Sequence, residues 1–347
     1  MIIARTPFRI SFFGGGTDYP SWFREHGGAV LATSIDKYCY LSCRYLPPFF
    51  DQKYRIVYSR IELTKCIDEI EHPSVRSCLR YMGITDGIEL VHNADLPART
   101  GLGSSSSFTV GLLHALRALK GQMSDQRSLA ELAIHLEQNV IKENVGSQDQ
   151  ILAAFGGLKH VTFSADNFTV RPVPLTLARR NEFEKHLMLF YTGISRTASE
   201  IAAHQIQNIP NRQGELLAMR QMVDDALGIL VGNGSIEDIG CLLHESWTLK
   251  RSLSSHISTS FIDELYERAR KNGALGGKLL GAGGGGFFLV FAPPEAQPRI
   301  RAALAGLQHV PFRFEESGAQ LIFYSPSEAL PTPALTPAWS REPVEAT

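Results

Sequence analysis

The stretch TGLGSSSSFTVGLLHAL, Thr100 to Leu116, constrains this chain more than any other, because two glycines and four serines run straight into apolar residues at helical spacing. A flexible glycine-serine linker is the plain alternative, yet linkers are not followed at once by Phe108, Val110, Leu112, Leu113 and Leu116. A helix start leaves its first amides without intrahelical partners and carries a partial positive charge, so it is already an anion site. Gly101 and Gly103 permit the positive-φ turns that aim successive N–H groups at phosphate oxygens. The hydroxyls of Ser104, Ser105, Ser106 and Ser107 can donate further or ligate a divalent cation. The segment is not a P-loop, since no Gly-Lys-Ser/Thr closes it, and not a dinucleotide fingerprint, since G-x-G-x-x-G is absent.

Two more glycine clusters need explaining. GGKLLGAGGGGFFLVF, Gly276 to Phe291, lies between a helical pattern and a strand pattern, and its four consecutive glycines, Gly283 to Gly286, are entropically costly to order. A tight turn needs one or two glycines; a close backbone approach to a ligand or to another loop explains four better. Lys278 beside them suits an anion partner or, as for most lysines, a solvent-facing position. In the opening RTPFRISFFGGGTDYPSWF, Arg9 inside an apolar strand is expensive unless it is paired or faces a site. Gly14 to Gly16 break that strand, and Thr17, Asp18 and Tyr19 offer groups suited to sugar hydroxyls, although Asp18 also suits a turn cap.

Periodicity predicts strands at Ile2–Ser11, Ala29–Ser34, Tyr38–Tyr45, Tyr54–Tyr58 and Ile88–His92, then helices at Phe108–Leu119 and Asp125–Glu143, the second capped by Ser124 or Asp125. Strands Leu158–Phe163 and Thr169–Val173 precede a polar stretch, Pro174–Lys185, which is read as a domain boundary. Beyond it come the strand His186–Tyr191, helices at Asn211–Val231, Ser235–Ser252 and Ser260–Asn272, and strands Phe287–Phe291 and Leu321–Tyr324. The class is α+β, in two domains, 1–180 and 181–325. Residues 326–347 carry many prolines and few apolar neighbours and are expected to form a disordered tail.

Composition excludes several classes. At 347 residues, 44% hydrophobic, the chain can bury two sizeable cores, and no run approaches the roughly 18 apolar residues of a membrane span. With no signal-peptide cleavage pattern at its start, a cytoplasmic protein is expected. A net charge of −1 argues against nucleic-acid binding, so any anion site must be local. Five cysteines without a C-x-x-C spacing suggest core thiols rather than disulfides or zinc ligands.

Among carboxylates, Glu137 falls on the edge of the apolar stripe Leu129, Leu132, Ala133, Leu136 and Val140, where it can face a cleft, while Glu131 points away. Asp149 follows Gly146 at the next helix start, and the residues alone favour an ordinary capping aspartate there.

Together, PFRISFFGGGTDY, LPARTGLGSSSS and LLGAGGGGFF, in this order, resemble the three motifs of the GHMP kinases, named for galactokinase, homoserine kinase, mevalonate kinase and phosphomevalonate kinase. The resemblance covers nearly all of residues 1–325. Within the family, YTGISRTASEI and GALGGKLLGAGGGGF are most similar to bacterial sugar 1-kinases acting on D-glycero-D-manno-heptose 7-phosphate, with L-fucose 1-kinases as near relatives.

The resemblance implies a ribosomal-S5-like N-terminal domain and a ferredoxin-like C-terminal domain with the active site in the cleft between them. It implies Asp149 as the catalytic aspartate and Arg9 as its basic companion. Backbone from Gly101 through Leu102 and Gly103 to Ser107 would hold ATP, and Glu137 with Ser105, or else Ser104, would ligate Mg²⁺. Asp18, Thr17, Gly15, Gly16, Gly283 and Gly284 would line the sugar site, where Gly15 and Gly16 replace the acidic and histidine residues usual in galactokinases. A sugar phosphate needs a second anion pocket; Arg196 is favoured for it, with Lys250 and Arg251 as other candidates. The expected partners are ATP and a sugar phosphate, with no nucleic acid or membrane, and a homo-oligomer remains open. A neutral-sugar kinase and a non-catalytic sugar sensor are the alternatives.

Overall fold

The computed structural model describes residues 1–194 and 198–326. Arg196 and nearly all of the 326–347 tail therefore lie outside the described residues. The first half runs β1 (Ile2–Phe13), α1 (Pro20–His26), β2 (Gly28–Tyr45), β3 (Tyr54–Val57), β4 (Ile61–Thr64), α2 (Pro73–Tyr81), β5 (Ile88–Ala94), α3 (Ser104–Leu119), α4 (Gln126–His135), α5 (Gln148–Phe155), β6 (Leu158–Phe163), β7 (Phe168–Pro172) and α6 (Leu177–Lys185). The second runs β8 (Leu187–Tyr191), α7 (Ala198–Asn208), α8 (Gln213–Val231), α9 (Glu237–Ser252), α10 (Ser260–Lys271), β9 (Gly276–Leu279), β10 (Phe287–Phe291), α11 (Gln297–Ala303), β11 (Gln308–His309), β12 (Phe314–Glu315) and β13 (Gln320–Tyr324).

Two sheets result, and the class is α+β as expected. The larger has the order β13-β1-β2-β5-β3-β4, with β6 and β12 also on β2 and β7 on β6; the smaller is β11-β8-β10-β9. The long β1–β2 ladder shifts register between Pro7 and Phe8, where proline has no N–H to give the ladder. Helix α3 packs against β1 and β2 and contributes Val110, Leu112, Leu113 and Leu116 to the main core.

Several expectations are corrected. The strands predicted at Ala29–Ser34 and Tyr38–Tyr45 are one continuous β2. The polar stretch Pro174–Lys185 contains α6, a helix that buries only Phe183 and is capped by the Thr176 hydroxyl; so little apolar content leaves no periodic signal. The helix predicted over Asp125–Glu143 is capped by Asp125, but α4 ends at His135 and a π-helical turn comes after it over Leu136–Ile141. The wider turn rotates the residues beyond it about the helix axis, so Val140 leaves the apolar stripe and is 41% exposed. Cys66 and Cys241 are exposed, whereas Cys39, Cys43 and Cys78 are core thiols. Strands β12 and β13 return the end of the chain to the first sheet, pairing with β2 and β1.

Candidate active site

A cavity of about 990 Å³ opens between the halves, lined from the first by β1, the Gly101–Ser106 turn and the start of α5, and from the second by Lys250, Lys278, Gly281 and Ala282. Its centre is set by β1 and α5. Arg9, 4% exposed, donates Nε to Asp149 Oδ1 at 2.6 Å and Nη2 to Oδ2 at 2.7 Å. Its Nη1 donates to the Gly101 carbonyl at 2.6 Å. The buried cation is thus paired, as its position in the strand demanded. Asp149 stands in the first turn of α5, faces the cavity and caps nothing; Ser147 is the N-cap residue.

Helix α3 begins at Ser104, four residues before the predicted start, and Gly103 is its N-cap with φ +74°. No side chain caps it, so the first-turn amides are left for a ligand. A Cβ on Gly103 would sit 3.2 Å from Arg9 Cγ and 3.3 Å from Asp149 Oδ2, so the phosphate turn and the Arg9–Asp149 pair share one point. The third glycine cluster packs against this turn. A Cβ on Gly101 would lie 2.3 Å from the Leu280 carbonyl oxygen, and one on Gly286 would lie 2.2 Å from that of Thr100. Close approach of loop to loop, the second option the sequence left open, is what these glycines serve.

Not every predicted residue faces the cavity. Gly283 and Gly284 turn toward Ile257, whose carbonyl accepts the Gly284 amide at 2.8 Å. The Thr17 hydroxyl is taken up between the Gly14 and Ala29 backbones, Ser107 Oγ donates to the Pro7 carbonyl, and Leu102 is a core side chain. Gly15, Gly16, Asp18, Ser104, Ser105 and Ser106 do line it. Asp18 Oδ1 accepts from the Gly16 amide, and Oδ2 from the Gln148 amide and Nε2. Burial, opposed by these hydrogen bonds, raises its carboxyl above the usual range.

Glu137 is buried directly behind the serines. Its Oε2 accepts from Ser106 Oγ at 2.8 Å and from Gln150 Nε2, while Oε1 has no partner. Burial pushes the carboxyl up to about 7. Ser106 is therefore the hydroxyl that meets Glu137; Ser105, predicted for that place, is exposed at the cavity mouth, one helical position away. A buried acid with an orphaned oxygen beside a phosphate-type helix start fits a divalent cation, which would restore its charge.

Sequence reasoning missed two parts of the lining. Ser11 Oγ and Gln148 Oε1 are buried polar atoms without partners, and they face the cavity beside Gly15. His72 stacks on Phe108 at 4.7 Å, His92 meets Phe108 edge-on at 5.1 Å, and Tyr58 meets His72 edge-on at 5.0 Å. Burial lowers the pKa of both histidines, that of His92 to about 4, so this aromatic wall is uncharged and suits a heteroaromatic ring. Lys278, offered by the sequence as an anion partner, and Lys250, offered for a second anion pocket, are both buried in the wall from the second half. Arg251 turns away and pairs with Asp263 at 2.9 Å.

Comparison with known proteins identifies the family. The N-terminal domain of the GHMP kinases matches residues 63–157 and their C-terminal domain matches 228–307. A D-glycero-alpha-D-manno-heptose 7-phosphate kinase of Campylobacter jejuni is 26% identical over 87% of this chain and 93% of its own length. An L-fucokinase/L-fucose-1-P guanylyltransferase of Bacteroides fragilis is 27% identical over 88% of this chain, which spans only 36% of that longer protein. The crystal structure of a D-glycero-D-manno-heptose 1-phosphate kinase from Bacteroides thetaiotaomicron superposes with a TM-score of 0.74 over 94% of this chain and all of that one, at 22% identity, and shares the fold. The chain belongs to the GHMP kinases, which transfer phosphate from ATP to an alcohol acceptor.

Proposed function

We propose that this protein is a sugar 1-kinase that phosphorylates the anomeric hydroxyl of D-glycero-D-manno-heptose 7-phosphate, supplying the 1,7-bisphosphate for nucleotide-activated heptose and surface polysaccharide. The observation that carries the kinase reading is the meeting of Gly103, Arg9 and Asp149 at one point, which joins an anion-binding helix start to a carboxylate. The similarity to the Campylobacter heptose 7-phosphate kinase, nearly end to end, supports the acceptor.

In this reading the amides of Ser104 to Ser106 hold the nucleotide phosphates, and the aromatic wall of Tyr58, His72, His92 and Phe108 receives the base. Phosphoryl transfer needs positioning and charge neutralisation more than covalent help. Arg9 faces the charge that develops on the transferred group and fixes the carboxylate of Asp149. Asp149 orients the acceptor hydroxyl and takes its proton, a contribution of about 10²–10⁴ in rate. Asp18, Ser11 and Gln148 hold the sugar hydroxyls. Glu137, through Ser106, is placed to hold Mg²⁺, which when bound neutralises phosphate charge. A chain that consumes ATP in sugar activation fits a cytoplasmic setting.

A second reading, an L-fucose 1-kinase, is favoured by the similarity to the Bacteroides fragilis fucokinase. ADP release measured with heptose 7-phosphate, unphosphorylated heptose and L-fucose separates the two. Turnover of fucose without turnover of heptose 7-phosphate overturns the acceptor assignment.

A further inference from the structure

Lys250, near the end of α9, and Lys278, in β9, are 6% and 2% exposed, and both line the cavity. Neither makes an ion pair among the described residues. Each ammonium has a single acceptor, and that acceptor is a backbone carbonyl: Gly281 for Lys250, Phe12 at 2.8 Å for Lys278. The carboxylates in this part of the cavity are already engaged. Asp149 holds Arg9 through both oxygens, and Asp18 accepts from Gly16 and Gln148.

An ammonium carries three donors, so four N–H groups of the pair have no acceptor among the described residues. Burying a charge without a counter-charge is expensive, and proteins keep such groups where a ligand supplies what is missing. Burial already depresses both lysines, Lys250 to about 8, and an anion would reverse this. An anion with several acceptor oxygens supplies both the missing charge and the missing acceptors.

We propose that Lys250 and Lys278 form a second phosphate-binding subsite, built by the second half of the chain and additional to the helix start at Ser104. The inference rests on the kinase reading for the identity of the cavity, but not on which sugar is used. Two phosphates have this chemistry: one carried by the acceptor, and the phosphoryl group in transit.

The test is calorimetric titration of inorganic phosphate into the full chain, with and without a saturating non-hydrolysable ATP analogue and Mg²⁺, for wild type, Lys250→Met, Lys278→Met and Lys250→Arg. Steady-state kcat and KM with heptose 7-phosphate and with unphosphorylated heptose accompany it. Phosphate binding should weaken about 10- to 100-fold in the methionine variants and be largely kept in Lys250→Arg. If lysine-dependent binding survives nucleotide saturation and KM for the phosphorylated sugar rises, the subsite takes the acceptor's phosphate. If binding competes with the nucleotide and kcat falls for both sugars, it takes the phosphoryl group in transit. Phosphate binding and kinetics unchanged in folded Lys250→Met overturn the proposal. Should Lys278→Met fail to fold for want of its link to Phe12, the Lys250 variants decide. Lysine-dependent phosphate binding without heptose 7-phosphate turnover would sink the acceptor assignment while leaving the subsite standing.

Discussion

Arg9 and Asp149 meet side on, two nitrogens to two oxygens, across 140 residues of chain. The pair makes the carboxylate's position depend on β1 as well as on α5. Replacing Asp149→Asn removes the carboxylate and leaves a buried guanidinium half-paired, while the helix start at Ser104 is untouched. Turnover should fall about 10²–10⁴-fold with nucleotide affinity nearly kept, measured as kcat and as the dissociation constant of an ATP analogue. Unimpaired turnover would remove Asp149 from the mechanism.

Gly103 and Gly121 form a matched pair for separating strain from function. Both have positive φ, +74° and +68°, but a Cβ on Gly121 meets open space while one on Gly103 presses on Arg9 and Asp149. Alanine at either should cost about 1–2 kcal/mol of stability through left-handed backbone strain. Only Gly103→Ala should also lower kcat, by about 10-fold or more, because it moves the reacting groups. Equal kinetics in the two variants would contradict this geometry.

The serines are not interchangeable. Ser106 donates to Glu137 and Ser105 does not, so Ser106→Ala should weaken use of the metal–nucleotide complex more than Ser105→Ala. The readout is the Mg²⁺ concentration for half-maximal rate, and the reverse order would return Ser105 to the ligand set.

Glu137 should give the ligand-free protein a marked pH dependence. Its carboxyl ionises at about 7 when folded against about 4.5 when unfolded, so the unfolded chain releases this proton first as pH rises. Its contribution to stability is complete below pH 4.5 and is lost as pH rises through 7, a change of about 3 kcal/mol. Glu137→Gln should flatten this slope in denaturant titrations at pH 5 and pH 8. Mg²⁺ with nucleotide should recover more stability at pH 8 in wild type than in the variant; an unaltered slope in the variant would show that the acid is not buried as described.

What the sequence made legible was whatever lies along one continuous stretch. The Gly101–Ser107 turn, Arg9 in its strand and the glycine run before Phe287 each carry their signal in a few adjacent residues, and β10 matches its predicted bounds. The aromatic wall has no such signal: Tyr58, His72, His92 and Phe108 come from four separate segments that only the first sheet and its helices bring together. Lys250 and Lys278 read as candidate anion partners with a solvent-facing position as the alternative, and sequence cannot choose between the two because burial of a charge depends on what packs over it. Periodicity predicts Glu137 at a cleft edge, but it is buried behind Ser106 and does not line the cavity, and the π turn breaks the helical period that puts it there. The resemblance points to Ser105, or else Ser104, beside Glu137, and a run of four serines cannot say which hydroxyl turns inward; Ser106 is the one that meets the carboxylate.

Strand β13 pairs with β1, Ile2 against Tyr324. A nascent chain therefore carries its first strand with one edge unsatisfied until Gln320–Tyr324 has emerged, so the sheet beneath the Arg9 site closes late. Refolding should likewise be slow, limited by the longest loop closure that this topology contains.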